Sequence, residues 1–316
     1  MDRIKKLIIN SSKAAILTHI SEDADALGSA AAIKSALSAL GKKADIYISA
    51  EIENRLKFMD VDCIIYNDET IPPYDLCICV DCGDLKRLGN RIKIFEAAEH
   101  TVNIDHHVTN ISYAEENLVA GAASSAGEIV YGVIKSLGVE ITKEIAFYLY
   151  TAISSDSGCF KYSSVTPETM RIAADLIETG IDHAEICRKL FDTETRNVIR
   201  LKGHIAENLH EYEDGKICVA AADDDMLKKY DVKEKDLGDL VNIPRKVEGC
   251  EIAVSVREAN GKIKVSLRSD GKYDVSAIAL SYGGGGHKRA AGITLEGIGI
   301  DEAEKQIVAD CRKELR

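Results

Sequence analysis

The 316-residue chain contains no tryptophan, and aromatic residues make up only 5% of it. No basic groove with interleaved aromatic side chains, the feature on which general single-strand nucleic-acid binding depends, is visible in it. Basic charge is also scarce: 40 Lys and Arg against 52 Asp and Glu leave a formal net charge of −12. That balance argues against a protein that coats long duplexes through many phosphate contacts. Small anionic substrates stay compatible with it, because divalent metals and a few local arginines supply positive potential where it is needed. No segment approaches the ~20 consecutive apolar residues that span a bilayer, so no membrane partner is expected. The apolar part of residues 1–10 is too short, and too broken by charge, for a signal-peptide core. The cytoplasm is the expected compartment. Nine cysteines, an odd number scattered from Cys63 to Cys311, fit free thiols in a reducing setting. Cys79 and Cys82 have C-x-x-C spacing, but no second pair or nearby histidine completes a zinc set, and they read as structural thiols. Internal repeats and low-complexity tracts are absent.

What the chain does have is core material: 46% hydrophobic and 29% charged residues, at a length that suggests two domains. The first half alternates short β-branched runs with helical patterns, the signature of a parallel sheet with crossover helices. Residues 14–18, 43–48, 76–80 and 101–104 read as strands. Residues 26–40, closed by Gly41, read as a helix, as do 126–137 and 143–153. Val198, Leu201, Ile205 and Leu209 form a helical stripe, expected to belong to a connecting helix that also bears His204 and His210. The second half differs: residues 250–257 and 262–268 alternate like strands about the hairpin signal Asn260-Gly261. A helix is expected over 274–282, then a glycine-rich stretch, Gly283 to Gly292, leading into the strand-like 293–295. The expected fold class is α/β, with a parallel-sheet domain over 1–185, a helical linker over 186–212 and a smaller α+β domain over 213–316. The acidic run Asp223-Asp224-Asp225 reads as a solvated turn or helix start.

The acids stand in an informative place. Asp23 and Asp25, then Asp81, then Asp105 each fall at the C-terminal end of an expected strand, the edge where open α/β sheets bind ligands. Aspartate is common there simply because it caps helices and starts turns. This many aspartates, accompanied by His19, His106 and His107, point further, to a two-metal hydrolytic site. Two divalent ions a few ångströms apart stabilise both oxygens of a phosphoryl displacement and need several carboxylates, one of them bridging. His19 and Asp23 offer a nitrogen and an oxygen from one loop, Asp25 can face a neighbouring ion, and Asp81 is the natural bridge. His106 and Asp156 complete the second set. Mixed imidazole and carboxylate ligands suit Mn²⁺ better than Mg²⁺.

The order His-x₃-Asp-x-Asp, Asp, Asp-His-His, Asp, followed by the glycine-histidine stretch at 283–292, resembles the DHH phosphoesterases with their associated C-terminal domain. Within that family the chain looks most like the nanoRNase branch, small oligoribonucleases that often also dephosphorylate 3′-phosphoadenosine 5′-phosphate. The resemblance covers nearly the whole chain. It implies that His19, Asp23 and Asp81 hold one ion, and that Asp25, Asp81, His106 and Asp156 hold the other. The ions would be two Mn²⁺, with Mg²⁺ or Co²⁺ as substitutes. It further implies that Asp105 orients a histidine and that His107 meets the scissile phosphate or the leaving oxygen, so the catalytic set is His107, Asp81 and Asp105. Gly284, Gly285, Gly286 and His287 would close on phosphate, with Arg257 and Arg268 as guanidinium clamps. Partners implied are short single-stranded RNA or small nucleotides, and a homodimer is among the assemblies the resemblance allows. Three positions depart from the family pattern: Glu22 for proline, Ala24 for glycine, and Cys82-Gly83 for small hydroxyl residues. None removes a ligand.

Two other readings fit the same motifs. One is hydrolysis of linear or cyclic dinucleotide signals, although the membrane and sensory segments that often accompany that role are missing. The other is a nucleotide- or RNA-binding regulator on the same fold, since fold alone never fixes activity; such regulators usually lose ligands, and here the set is complete.

Overall fold

The computed structural model describes residues 1–68 and 71–315, with the side chain of residue 235 left aside. It divides into two compact units, Met1–Thr193 and Glu194–Arg316. No helix among the described residues is long and apolar enough to cross a membrane.

The first unit runs α1 (Asp2–Asn10), β1 (Lys13–Leu17), α2 (Ala24–Ala39), β2 (Lys43–Ile48), β3 (Ile64–Ile65), β4 (Leu76–Val80), α3 (Ile92–Ala97), β5 (His100–Asp105) and β6 (Glu116–Val119). Four helices follow: α4 (Ala126–Ser136), α5 (Lys143–Asp156), α6 (Pro167–Glu178) and α7 (His183–Phe191). All six strands are parallel, in the order β3-β2-β1-β4-β5-β6. Both faces of the sheet are covered, which explains why β4 is buried at every residue and reads as an unbroken apolar run. Ile16, Ile78, Val102 and Ile104 pack on one side with α1, α2, α4 and α5. Ala15, Leu17, Cys77 and Cys79 face the other, with Cys82, Ile94 and Phe95. Cys79 and Cys82 are thus packed as small apolar side chains, and all nine cysteines are free thiols.

Helix α2 is buried almost all round from Ala24 to Leu37, as befits an inner helix with a sheet on one side and α5 on the other. Its alanines keep it slim enough to fit there. Asp23 caps it, accepting from Ala26 N at 3.0 Å, so the helix starts where the acidic loop ends.

The second unit comprises α8 (Arg196–Glu207), β7 (His210–Tyr212), β8 (Ile217–Ala222), α9 (Asp224–Tyr230), β9 (Ile252–Ala259), β10 (Lys262–Ser269), α10 (Val275–Ser281), β11 (Gly285–His287), β12 (Ala290–Leu295) and α11 (Ile300–Glu314). Its mixed sheet has the order β11-β12-β10-β9-β8-β7 and is antiparallel except between β8 and β9. The hairpin at Asn260-Gly261 forms as expected, with positive φ at both residues, and Asp223 caps α9.

Three expectations need correction. The connecting helix is no free linker: Val198, Leu201 and Ile205 of α8 pack with Ala220, Leu227 and Leu240 inside the second unit, whereas Ile186 of α7 belongs to the core of the first. His210 lies on β7, not on that helix. The glycine-rich stretch contains a strand, β11, held by register against β12.

Candidate metal centre

Strand order fixes where the site forms. From β1 the chain moves one way to β2 and β3 and returns to build β4, β5 and β6 on the other side. The crevice beyond the carboxyl ends of β1 and β4 is the topological switch point of the sheet, where open α/β folds bind ligands. His19 follows β1, Asp81 follows β4, and Asp105 ends β5.

Asp81 is the centre of the arrangement. It has φ of 53°, a left-handed conformation that aspartate tolerates better than most residues, and its amide donates to Ile104 O at 3.0 Å. That backbone turn leaves the side chain 4% exposed between two imidazoles. Oδ2 lies 3.3 Å from His19 Nε2, and Oδ1 lies 3.5 Å from His106 Nε2. Oδ1 is buried and has no hydrogen-bond partner among the described residues. Leaving a carboxylate oxygen in that state is costly.

The flanking candidate ligands come from both sides. His19 Nδ1 lies 2.8 Å from Ile20 O; a carbonyl only accepts, so Nδ1 carries a proton and Nε2 is the nitrogen turned to the crevice. Asp23 Oδ2 is 3.6 Å from that Nε2, so Asp23 caps α2 with one oxygen and faces the centre with the other. His106 Nε2 lies 3.3 Å from Asp156 Oδ2 and 3.9 Å from Asp25 Oδ2. Asp156 is the last residue of α5, which runs three residues beyond the expected end.

Asp25 is fully buried and anchored by donors that the sequence did not disclose. Oδ2 accepts from Ala126 N at 2.7 Å, and Oδ1 accepts from Gly127 N at 2.9 Å and Ser29 Oγ at 3.1 Å. The two amides open α4, so the carboxylate sits at a helix N-terminus. Gly127 is required there, because a Cβ would come within 2.7 Å of Ala152 Cβ.

Asp105 stands behind His107. Its Oδ1 accepts from His107 Nδ1 at 2.8 Å and its Oδ2 from Asn110 Nδ2 at 2.5 Å, which orients the imidazole with Nε2 free. Asn110 was another missed residue. It also donates to Asn103 Oδ1 at 2.7 Å.

Electrostatics agree with the geometry. Burial pushes His19 down, but Asp23 and Asp81 outweigh it and raise the imidazole to about 11. For His106 the same contest, against Asp156, Asp81 and Asp25, also ends at about 11. Burial first, then the charges of Asp81 and Asp156, lift Asp25 well above the usual carboxylate range. Such a field favours positive charge. The ligand atoms of His19, Asp23 and Asp81 lie within 4.8 Å of one another, as do those of Asp25, His106 and Asp156, and those of Asp81, His106 and His107. Two atoms that share a cation at about 2.0–2.2 Å stand about 3.0–3.5 Å apart, so the imidazole–carboxylate separations fit a pair of adjoining cation subsites with Asp81 between them.

The remaining candidates lie in the second unit. Arg257 Nη2 is 3.3 Å from Glu234 Oε1, and Arg268 Nη2 is 3.0 Å from Asp239 Oδ2. Arg257 is paired in register with Lys264, which also meets Glu234 at 3.4 Å and was not anticipated. His287, Ala290 and Arg268 occupy one row across β11, β12 and β10, which puts His287 and Arg268 on the same face. Gly284 N donates to Ala279 O at 2.9 Å, closing α10, whereas Gly285, Gly286 and His287 form the exposed edge strand.

Comparison with known proteins accounts for both units. Residues 13–153 match the DHH family, N-terminal domain, and residues 206–315 match the DHHA1 domain. The chain is 34% identical to the bifunctional oligoribonuclease and PAP phosphatase NrnA of Thermus thermophilus, covering 95% of this chain and 89% of that protein. It is 27% identical to the protein of the same name from Bacillus subtilis, over 92% and 91%. Among solved structures it resembles an exopolyphosphatase-related protein from Bacteroides fragilis, with a TM-score of 0.90, 27% identity, and coverage of 98% and 95%. The chain belongs to the DHH family, its N-terminal DHH domain being followed by a DHHA1 domain.

Proposed function

We propose that this chain is a Mn²⁺-dependent phosphodiesterase that degrades short oligoribonucleotides to 5′-mononucleotides, with 3′-phosphoadenosine 5′-phosphate phosphatase activity as a second function. The observation that carries the reading is Asp81, whose two oxygens face two separate imidazoles while one of them, Oδ1, has no hydrogen-bond partner among the described residues. The similarity to oligoribonuclease and PAP phosphatase relatives over nearly the full length supports the substrate class.

In this reading His19, Asp23 and Asp81 hold one cation, and Asp25, Asp81, His106 and Asp156 hold the other. Two bound divalent ions would supply an activated water and neutralise charge on the attacking and leaving oxygens. The chain's own groups do the rest. Asp105 fixes His107 with its Nε2 free, so that His107, in its doubly protonated form, can donate a hydrogen bond or a proton to the leaving oxygen. Arg268 and His287, on one face of the second sheet, bind a phosphate of the substrate, with Arg257 and the amides of Gly285 and Gly286 nearby; Gly284 shapes the turn before them. Phosphate is a natural competitor for Glu234 and Asp239 at these guanidinium groups, since it accepts charge-assisted hydrogen bonds as a carboxylate does.

A Mn²⁺ titration of hydrolysis on end-labelled RNAs, from dinucleotides to long oligomers, tests the proposal, with 3′-phosphoadenosine 5′-phosphate assayed in parallel. Fast cleavage confined to the shortest RNAs and abolished by chelator is the expected result. Equal rates along the ladder, or turnover that survives chelation, would overturn it.

A further inference from the structure

The loop that carries His19 and Asp23 is gripped by a buried ion pair that the chemistry above does not use. Arg91 Nη1 lies 2.9 Å from Glu22 Oε1, with the two side chains 0% and 8% exposed. The same guanidinium donates to Tyr47 O at 2.8 Å, Leu88 O at 3.2 Å and Thr18 Oγ1 at 3.4 Å. Glu22 in turn accepts from Ser49 N at 2.6 Å and from Ser49 Oγ at 3.0 Å. Thr18 and Glu22 bracket His19 in the chain, residues 47–49 leave β2, and residues 84–91 continue the turn that Asp81 begins. One charge pair therefore ties together three segments at the carboxyl edge of the sheet.

Other contacts join two of those segments again. Ile20 N donates to Arg87 O at 2.7 Å. Gly89, at φ of 61°, lies so close that a Cβ there would come within 2.9 Å of Ile20 Cγ2. Ile20 O is the acceptor that orients His19. The imidazole is thus held on both sides, through Thr18 by Arg91 and through Ile20 by Arg87 and Gly89.

Stability alone does not call for such a pair. An apolar pair of similar volume generally serves a core as well as a buried salt bridge or better, and Arg91 Nη2 is buried with no hydrogen-bond partner among the described residues, a further cost. What the fork adds is direction: it fixes where the loop lies relative to Asp81.

We infer that Glu22 and Arg91 are positioning residues that hold the His19–Asp23 half of the centre in its cation-ready geometry. The inference rests on the metal reading above. Neither residue touches substrate; both act through His19 and Asp23.

The test is Mn²⁺ binding by calorimetry to chelator-stripped full-length protein, together with melting temperature, for wild type, Glu22→Gln and the double variant Glu22→Leu/Arg91→Met. The double variant leaves no uncompensated buried charge. It is expected to keep its melting temperature while losing about tenfold or more in one of the Mn²⁺ binding steps, the range found when groups that orient metal ligands are removed; the other step stays as in wild type. Wild-type Mn²⁺ affinity at every step in the double variant would overturn the inference. Should that variant fail to fold, Glu22→Gln decides by the same criterion, because it keeps the side-chain shape and removes the charge. Wild-type protein that binds no Mn²⁺ would sink the metal reading and this inference together, whereas wild-type binding with an unaffected variant would sink the inference alone.

Discussion

Asp81→Asn is the sharpest perturbation of the centre. Asparagine keeps the shape of the side chain and removes the charge from the carboxylate whose oxygens lie 3.3 Å from His19 Nε2 and 3.5 Å from His106 Nε2. Two unit charges about 4 Å apart interact by about 4 kcal/mol at an effective dielectric near 20. The cation's double charge raises that figure and relief from burying a carboxylate lowers it, so about 4 kcal/mol stands as the expected loss. That corresponds to about three orders of magnitude in rate. The assay is initial-rate cleavage of a dinucleotide across a Mn²⁺ titration. A second readout is melting temperature with and without Mn²⁺. Mn²⁺ at about a hundredfold excess over Kd stabilises wild type by about 2.7 kcal/mol, or about 5–10 °C for a unit of this size. The variant should lose most of that gain. Wild-type turnover of Asp81→Asn in Mn²⁺-replete buffer, or an equal Mn²⁺-dependent rise in melting temperature, would refute the bridging role.

Gly127→Ala should cost about 1–3 kcal/mol by overpacking, since the new Cβ meets Ala152 Cβ at 2.7 Å and Asp25 Oδ1 at 3.4 Å; urea unfolding measures it, and an undiminished midpoint would show that α4 and α5 part freely. Burial pushes the Asp105 carboxyl up, but hydrogen bonds from His107 and Asn110 outweigh it and hold the group below its usual range. Its contribution to stability is therefore complete above the unfolded carboxylate value of about 3.9 and is lost as pH falls through the lower folded value. In Asp105→Asn the acid limb of a stability-against-pH curve should flatten, and an unchanged limb would mean that Asp105 is not the group that titrates there. Arg268→Ala should raise KM for short RNA about ten- to a hundredfold, the worth of a hydrogen bond to a charged group, with kcat held. A fall in kcat at constant KM would instead place Arg268 in the chemical step.

The parts of the molecule that could be read from sequence are those with a local or periodic signal. The run at 76–80 is a bare apolar stretch and 43–48 ends on the apolar Ile46-Tyr47-Ile48, and they became β4 and β2. His19, Asp81, Asp105 and His106 could be placed because parallel strands end on one edge, so residues just past several strands converge whatever the loops do. Contacts between distant side chains left no such trace. Glu22 and Arg91 are 69 positions apart, and neither stands in a pattern that announces the other. Asn110 and Ser29 look like ordinary polar residues until Asp105 and Asp25 are in view. The stripe on α8 announced a helix correctly, but a stripe does not say which core it faces, so the helix was expected between the units and not within the second. Glycine's weak preference for strands hid β11, which exists only because β12 offers it an edge.

The two central carboxylates are treated differently by the fold, and the difference supports the proposed place of the cation. Asp25 has both oxygens engaged by Ala126 N, Gly127 N and Ser29 Oγ, so the protein has fixed its position before any ion arrives. Asp81 has one buried oxygen with no hydrogen-bond donor among the described residues. A fold stabilised by its own contacts alone would not leave that acceptor bare, because an unsatisfied buried polar group costs about 1–3 kcal/mol, and more when charged. Protons on His19 and His106 relieve the crowding in part, since both imidazoles hold theirs up to about 11. They cannot do so and also serve as ligands, because a metal requires the neutral ring. Cation binding must then release protons from the centre, and Mn²⁺ affinity should rise with pH until both imidazoles are free. Calorimetry in buffers of different ionisation enthalpy counts those protons directly. Binding with no proton release at neutral pH would mean that the imidazoles are already neutral, and that something other than their protons balances the carboxylates around Asp81.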